Sequence, residues 1–314
     1  MDRFKQYVQL DEKLILLSNG KNYGQIVFLA GGAASGKGFA AQNFMEKNKF
    51  KVRNVDEWKE AFLKMANLKD DPEKWAKMQS SGTNIDPEKY KEIKNLKLTV
   101  PGDVIKFHQF VQDLGIKDKT LDLMIKQMKN PETLPNIMFD ITAKNINDIG
   151  KFMPKLLTAG YNPADIHIVW VLTDYKIALS NNLDPKRGRV LPEDILLQTH
   201  KGAAQTMFDY VNGVGRKLAI NGQIHVVLNN RENTVYYGAG KKLERISAIT
   251  GKKNDGVIKD FKYLTLKKRG KSPLPEKKIT QQLYGWIVDN IPTGDLLKSL
   301  VDRGIKQSKK TKKR

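Results

Sequence analysis

Apolar residues fall into short continuous runs separated by longer amphipathic stretches, and the alternation repeats through most of the chain. Residues 25–30 (QIVFLA) form an apolar run bounded by glycines, the pattern of a buried strand. The following KGFAAQNFMEKN reads as a helix, KFKVRNV (49–55) as a second strand, and DEWKEAFLKMANL as a helix after it. A lysine-rich helical region runs from about 72 to 130, punctuated by Pro72, Pro87 and Pro101. LPNIMFDITAKN (134–145) returns to strand character, and INDIGKFMPKLLTAG predicts a helix ending at Gly160. DIHIVWVLTD (165–174) is the strongest strand signal. Next come a helix (175–182), a polar basic loop (183–192), a long helix starting near Pro192 and Glu193, and a fifth strand in QIHVVLNN (223–230).

Strands that alternate with helices imply right-handed crossovers and a parallel sheet covered on both faces. Residues 20–235 are therefore read as a three-layer α/β domain with a parallel five-stranded sheet. The helical insertion at 72–130 lies between strands two and three. Residues 1–19 are expected to be an N-terminal helical segment. Residues 236–305 are expected to form a basic C-terminal extension with one or two amphipathic helices, and 306–314 a disordered basic tail. No internal repeat is visible.

The composition is that of a soluble globular chain, with 314 residues, 40% hydrophobic and 28% charged. No apolar run approaches the roughly 20 residues needed to span a bilayer, and the mixed-charge N-terminus lacks the apolar segment of a signal peptide. With no cysteine, disulfides and thiolate metal sites are excluded. A cytoplasmic location is the expectation. The formal net charge of +21 is unusual, and residues 241–278 hold 13 Lys and Arg against 4 Asp and Glu. Such a field attracts nucleic acid or other polyanions; the alternative is a lysine-rich solvated surface.

Chemistry concentrates first in Gly31-Gly32-Ala33-Ala34-Ser35-Gly36-Lys37, which matches G-x-x-x-x-G-K after a strand and at the mouth of a helix. Glycines let the backbone curl so that amides face phosphate oxygens, the helix adds its positive end, and the lysine reaches the β- and γ-phosphates. The next residue is normally a serine or threonine that ligates magnesium; here Gly38 follows, then Phe39. The loop is similar to the adenylate-kinase type, in which glycine also follows the lysine, but with Phe39 where that type has threonine. Ser35 is the nearest hydroxyl, and its usual place faces the phosphates.

In VRNVDEWKEAF, Asp56 follows the second strand where many kinases of this loop class put a general base. Here the chain resembles the zeta-toxin-like kinases, whose N-x-D-x-[FW]-[KR] segment is matched by Asn54, Asp56, Trp58 and Lys59. The resemblance implies a P-loop NTPase fold over 20–235, ATP and magnesium as cofactors, and Asp56 as base. Helix capping by Asp56 explains the residue equally well locally. Asp140, at the end of NIMFD, stands where a carboxylate orients magnesium-bound water, and with Thr142 it is a candidate for the acceptor site; capping by Thr142 or Asn145 is the alternative. By the same resemblance Arg187 and Arg189, supported by Lys186, occupy the place of lid arginines, whose forked donors suit a transferring phosphoryl group; a solvated basic turn is the alternative, and Gly188 between them favours a mobile loop. Asn229, Asn230 and Arg231 lie where such folds hold adenine.

His108, His167, His200 and His225 show no metal-ligand spacing; His167 and His225 lie within apparent strands and are read as core or edge residues, as Trp170 is read as core. The expected function is transfer of the γ-phosphoryl group of ATP, or GTP, to a hydroxyl of a nucleotide, sugar nucleotide or polynucleotide. The alternative is a weakly hydrolysing or non-catalytic ATP-binding protein that associates with nucleic acid or a structural assembly through its basic C-terminal region. In style the lysine-rich, cysteine-free chain resembles phage-encoded enzymes.

Overall fold

Strand β1 (Ile26–Ala30) divides its side chains between two apolar layers. Ile26, Phe28 and Ala30 join one cluster, and Val27 and Leu29 the other. This period of two is what a strand buried on both faces requires. The computed structural model describes residues 8–9, 15–18, 21–54, 56, 59–60, 63, 93–115, 118, 121–122, 133–214, 218–230, 233–236, 245–246, 258–271, 275–292 and 294.

The other strands of the main sheet are β2 (Lys51–Asn54), β3 (Ile137–Asp140), β4 (Ile166–Leu172), β5 (Ile224–Leu228), β6 (Thr234–Tyr236) and β7 (Ile258–Lys267). Their spatial order is β2-β3-β1-β4-β5-β7-β6. The first five in that order are mutually parallel; β7 is antiparallel to β5, and β6 is antiparallel to β7, so β6 runs in the direction of the first five. The sheet therefore has seven strands and mixed direction, where sequence led to five parallel ones. The strand at 258–267 lies inside the stretch read as a basic extension. Its lysines mask a run whose Ile258, Phe261, Leu264 and Leu266 are buried against the rest of the protein.

Helices cover both faces. On one side, α1 (Lys37–Phe44) packs Ala40, Ala41 and Phe44 against Val27, Leu29, Val169 and Phe261, with Phe44 stacked on Phe261 at 4.1 Å between centroids. On the other lie α3 (Asn147–Gly150), α4 (Met153–Thr158), α6 (Glu193–Val211) and α7 (Lys277–Asn290), around Phe28, Phe139 and Trp170. The single helix expected over 146–160 is two short ones. Pro154, early in α4, has no amide for the preceding turn. Helix α5 (Tyr175–Asn182) leads through a 3-10 turn, Pro185–Arg187, into α6.

Part of the expected insertion is described. Helix α2 (Pro101–Asp113) begins with proline at its first turn and buries Val104, Phe107, Phe110 and Val111 in a separate small cluster with Leu63 and Ile93. Within the first 19 residues, where a helix was expected, Val8–Gln9 pairs in parallel with Arg245–Ile246, and Ile15 bridges to Met45. The extended path is fixed by burial of Ile15 and Leu17 and by the Glu46 carboxylate, which accepts from the Leu17 and Ser18 amides. Trp58, Arg231 and the 306–314 tail lie outside the described residues. No described helix is long and apolar enough to cross a membrane.

Candidate active site

The parallel strands end on one edge, and the chemistry sits there, as is general for open α/β sheets. Loop 31–36 joins β1 to α1 and turns through positive φ at Gly31 (147°), Ala34 (57°) and Gly36 (78°). Close approach also demands glycine: a Cβ on Gly31 would lie 2.5 Å from the Val171 carbonyl oxygen, and one on Gly32 2.4 Å from the His200 ring.

Every carbonyl from Gly31 to Ser35 is engaged. Lys37 Nζ donates to Gly31 O and Gly32 O, each at 3.2 Å. His200 Nε2 donates to Ala33 O at 2.8 Å, and Asn181 Nδ2 to Ala34 O at 3.1 Å. Thr173 Oγ1 (2.6 Å) and Asn229 Nδ2 (2.8 Å) both donate to Ser35 O. The amides of Gly36, Lys37 and Gly38 donate to no protein group among the described residues, and the buried Ser35 Oγ has no protein partner. A curled backbone with free amides at a helix N-terminus, an orphaned hydroxyl and a lysine above it fits the phosphates of a nucleotide.

The fit to magnesium is narrower. Gly38 carries no hydroxyl, and the space where its side chain would project is open. Phe39 is 40% exposed and packs edge-on to Phe44. Asp140, the last residue of β3, places its carboxylate Oδ1 3.6 Å from Lys37 Nζ. Burial pushes its pKa up, Lys37 pulls it down and Asp56 pushes it up again, with a net rise. A carboxylate so placed is stabilised by a further cation. Among the described residues no cluster of three or more His, Asp or Glu is arranged for a metal.

Asp56 follows β2 in an Asx turn, its amide donating to Asn54 Oδ1 at 2.9 Å. Arg189 Nη1 lies 2.5 Å, and Lys59 Nζ 3.2 Å, from Asp56 Oδ1. Burial alone would raise the Asp56 pKa, but the two cations outweigh it and hold the carboxyl far below the usual range. Lys59 also donates to His108 Nδ1 at 3.2 Å. Asp56, Asp140, Thr142, Arg189, Lys59 and Arg53 line a cavity of about 350 Å³ that reaches the phosphate loop at Ala33. Arg53, from β2, is buried with its guanidinium 5.5 Å from the Phe139 ring centroid and 5.7 Å from that of Phe152.

Other expected residues lie elsewhere. Arg187 bonds to Asn182, the last residue of α5, and does not line the cavity. Burial, then Arg189, lowers its pKa to about 10. Lys186 is exposed. The loop that carries them is anchored. Asn182 exchanges hydrogen bonds with Leu191 N (3.0 Å) and O (2.8 Å), and Val190 N donates to Leu98 O at 3.0 Å. Asn229, expected at adenine, spends its amide on the phosphate loop instead. Asn230 is buried, donating to Asn290 Oδ1 and accepting from Asp174 N. Asn145, not Thr142, caps the helical turn after β3 by accepting from the amides of Asn147 and Asp148.

Sequence reasoning missed Thr173, Asn181, Thr199 and His200, which hold the loop from 138 to 167 residues away. No local pattern marks them.

No family model matches the chain, and no curated protein matches it in sequence. Among solved structures, it is similar to a chain from the PezAT chromosomal toxin-antitoxin system of the human pathogen Streptococcus pneumoniae. The two are 12% identical, with 87% of this chain and 90% of that chain covered and a TM-score of 0.41. At that distance the likeness assigns no activity.

Proposed function

We propose that this chain is a P-loop phosphotransferase that moves the γ-phosphoryl group of ATP to a hydroxyl of a small acceptor. The observation that carries the reading is the meeting of a phosphate-type loop with Asp140, Asp56 and Arg189 on one cavity. Lys37 and the amides of residues 36–38 would bind the β- and γ-phosphates. The cavity between α2, α3 and the 183–192 loop would hold the acceptor, a nucleotide or sugar nucleotide. Magnesium, when bound with ATP, supplies neutralisation of phosphate charge, and Asp140 is the residue to hold it through coordinated water.

Asp56 would accept the proton of the acceptor hydroxyl as its oxygen attacks the γ-phosphorus and ADP leaves. While paired with Arg189 and Lys59 it is too acidic for that. Movement of Arg189 onto the transferring phosphoryl group raises its proton affinity and supplies a forked donor to the developing charge in the same step. The resemblance of Asn54, Asp56 and Lys59 to the zeta-toxin-like segment supports the same roles.

The test is incubation of the protein with γ-labelled ATP and a panel of nucleosides, sugar nucleotides and 5′-hydroxyl oligonucleotides, with Asp56→Asn alongside. Transfer that disappears in Asp56→Asn supports the reading; ATP binding with no transfer to any acceptor overturns it. One observation favours the second reading, an ATP-binding protein without transfer: the Asp56 carboxylate is neutralised by two cations, and Gly38 offers the metal no ligand. That reading also takes up the basic C-terminal region as a nucleic-acid contact.

A further inference from the structure

Two consecutive residues of α6 take both backbone polar groups of Ala33. Thr199 Oγ1 accepts from Ala33 N at 2.9 Å, while its own proton goes to Leu196 O at 2.7 Å. His200 donates from Nε2 to Ala33 O at 2.8 Å. The His200 ring is 1% exposed, lies flush with Gly32 and meets Tyr175 edge-on at 5.7 Å. On the other side of the peptide, Asn181 of α5 donates to Ala34 O. Between these grips sits Ala34 at φ 57°, a left-handed conformation that is unfavourable for an L residue and persists only where the surroundings hold it.

We propose that Thr199 and His200 are positioning residues for the phosphate loop: they hold Ala33 so that Ala34 keeps its left-handed turn and the amides of residues 36–38 face the ligand. The inference rests on the nucleotide reading of the loop. Thr199 also lines the cavity beside Ala33, so nucleotide binding rather than transfer is the readout. Because α6 begins directly after the loop that carries Arg189, the same grip fixes that arginine's segment against the phosphate loop. Loss of His200 frees the Ala33–Ala34 peptide, and loss of Thr199 the Gly32–Ala33 peptide, to turn over, which disorders the amide cradle without removing any phosphate ligand.

The experiment is titration of the full chain with a fluorescent ATP analogue, using Thr199→Val, Thr199→Ser, His200→Ala and His200→Gln. Thr199→Val is expected to weaken binding about fivefold and His200→Ala about tenfold. Thr199→Ser keeps the acceptor oxygen, and His200→Gln keeps a donor that reaches Ala33 O, so both stay within about threefold of the wild type. Hydrogen exchange of the amides at 31–38 rises in the two disruptive variants and not in the two conservative ones. A role in stability alone would lower Tm and leave the affinity of the folded fraction unchanged. Wild-type binding undiminished in Thr199→Val and His200→Ala overturns the inference alone. Absence of binding by the wild type overturns the nucleotide reading and the inference with it.

Discussion

Two glycines flank Lys37, and the structure sets them apart sharply. Gly36 caps α1 at φ 78°, ψ 30°, and a Cβ there would lie 2.3 Å from Asn229 Nδ2. Gly36→Ala therefore places an L residue in the left-handed region, at a cost of about 1–2 kcal/mol. It also drives Asn229 off Ser35 O, a hydrogen bond contributing about 1 kcal/mol, with Thr173 still on the same carbonyl. Reduced freedom of the unfolded chain returns roughly 0.5–1 kcal/mol, so the net loss is about 1–2.5 kcal/mol. Gly38, in the first turn of α1, has nothing within 4 Å of a built Cβ. Gly38→Ala should then gain about 0.5–1 kcal/mol from helix propensity. Urea denaturation followed by far-UV circular dichroism measures both. A Gly36→Ala variant as stable as Gly38→Ala would refute the loop geometry.

Four further outcomes are expected. Asp56→Asn should lower kcat by about 10²–10⁴ while leaving ATP affinity nearly unchanged, as read by steady-state transfer once an acceptor is known. Arg189→Gln removes the stronger cation beside Asp56 in the free enzyme, so the acid limb of the kcat/KM–pH profile should move to higher pH; an unmoved limb would argue against Asp56 as base. Gly38→Ser should make ATP affinity more dependent on magnesium, read by titration with and without a chelator. His167, His200 and His225 are held neutral by burial, at about 3, 4 and 4. The unfolded chain takes up these protons from about pH 6.5, so stability is full above that pH and falls below it. The slope is about 1.4 kcal/mol per pH unit for each ring and roughly 4 for three, and equal urea midpoints at pH 7 and pH 5 would exclude it.

Four of the five parallel strands were legible because each is a short apolar run between glycines or polar turns, β2 (KVRN) only from its place between two helical stretches, and the loop because its glycines are consecutive with a strand and a helix. The seventh strand was not: Lys259, Lys262 and Lys267 give 258–267 the look of a solvated basic stretch, although Phe261 and Leu264 sit in the core. Lys267 is itself buried, donating to Asn221 Oδ1 and Lys271 O, a use of lysine that composition counts as surface. Asp56 and Arg189 were each singled out, but their pairing across 133 positions was invisible to any window of sequence. Asn229 carries the same lesson in reverse. Its place after β5 suggested a ligand contact, and the register of β4, β5 and the loop turned its amide to Ser35 O.

The engagement of all five carbonyls from Gly31 to Ser35 has a further consequence. Fixing a residue's backbone costs about 1–2 kcal/mol of conformational entropy, and here that cost falls on folding, met by side chains from α1, α5, α6 and the ends of β4 and β5. Ligand capture therefore needs no ordering of the loop. Association should proceed in a single kinetic phase, with a rate set by encounter and charge rather than by loop rearrangement.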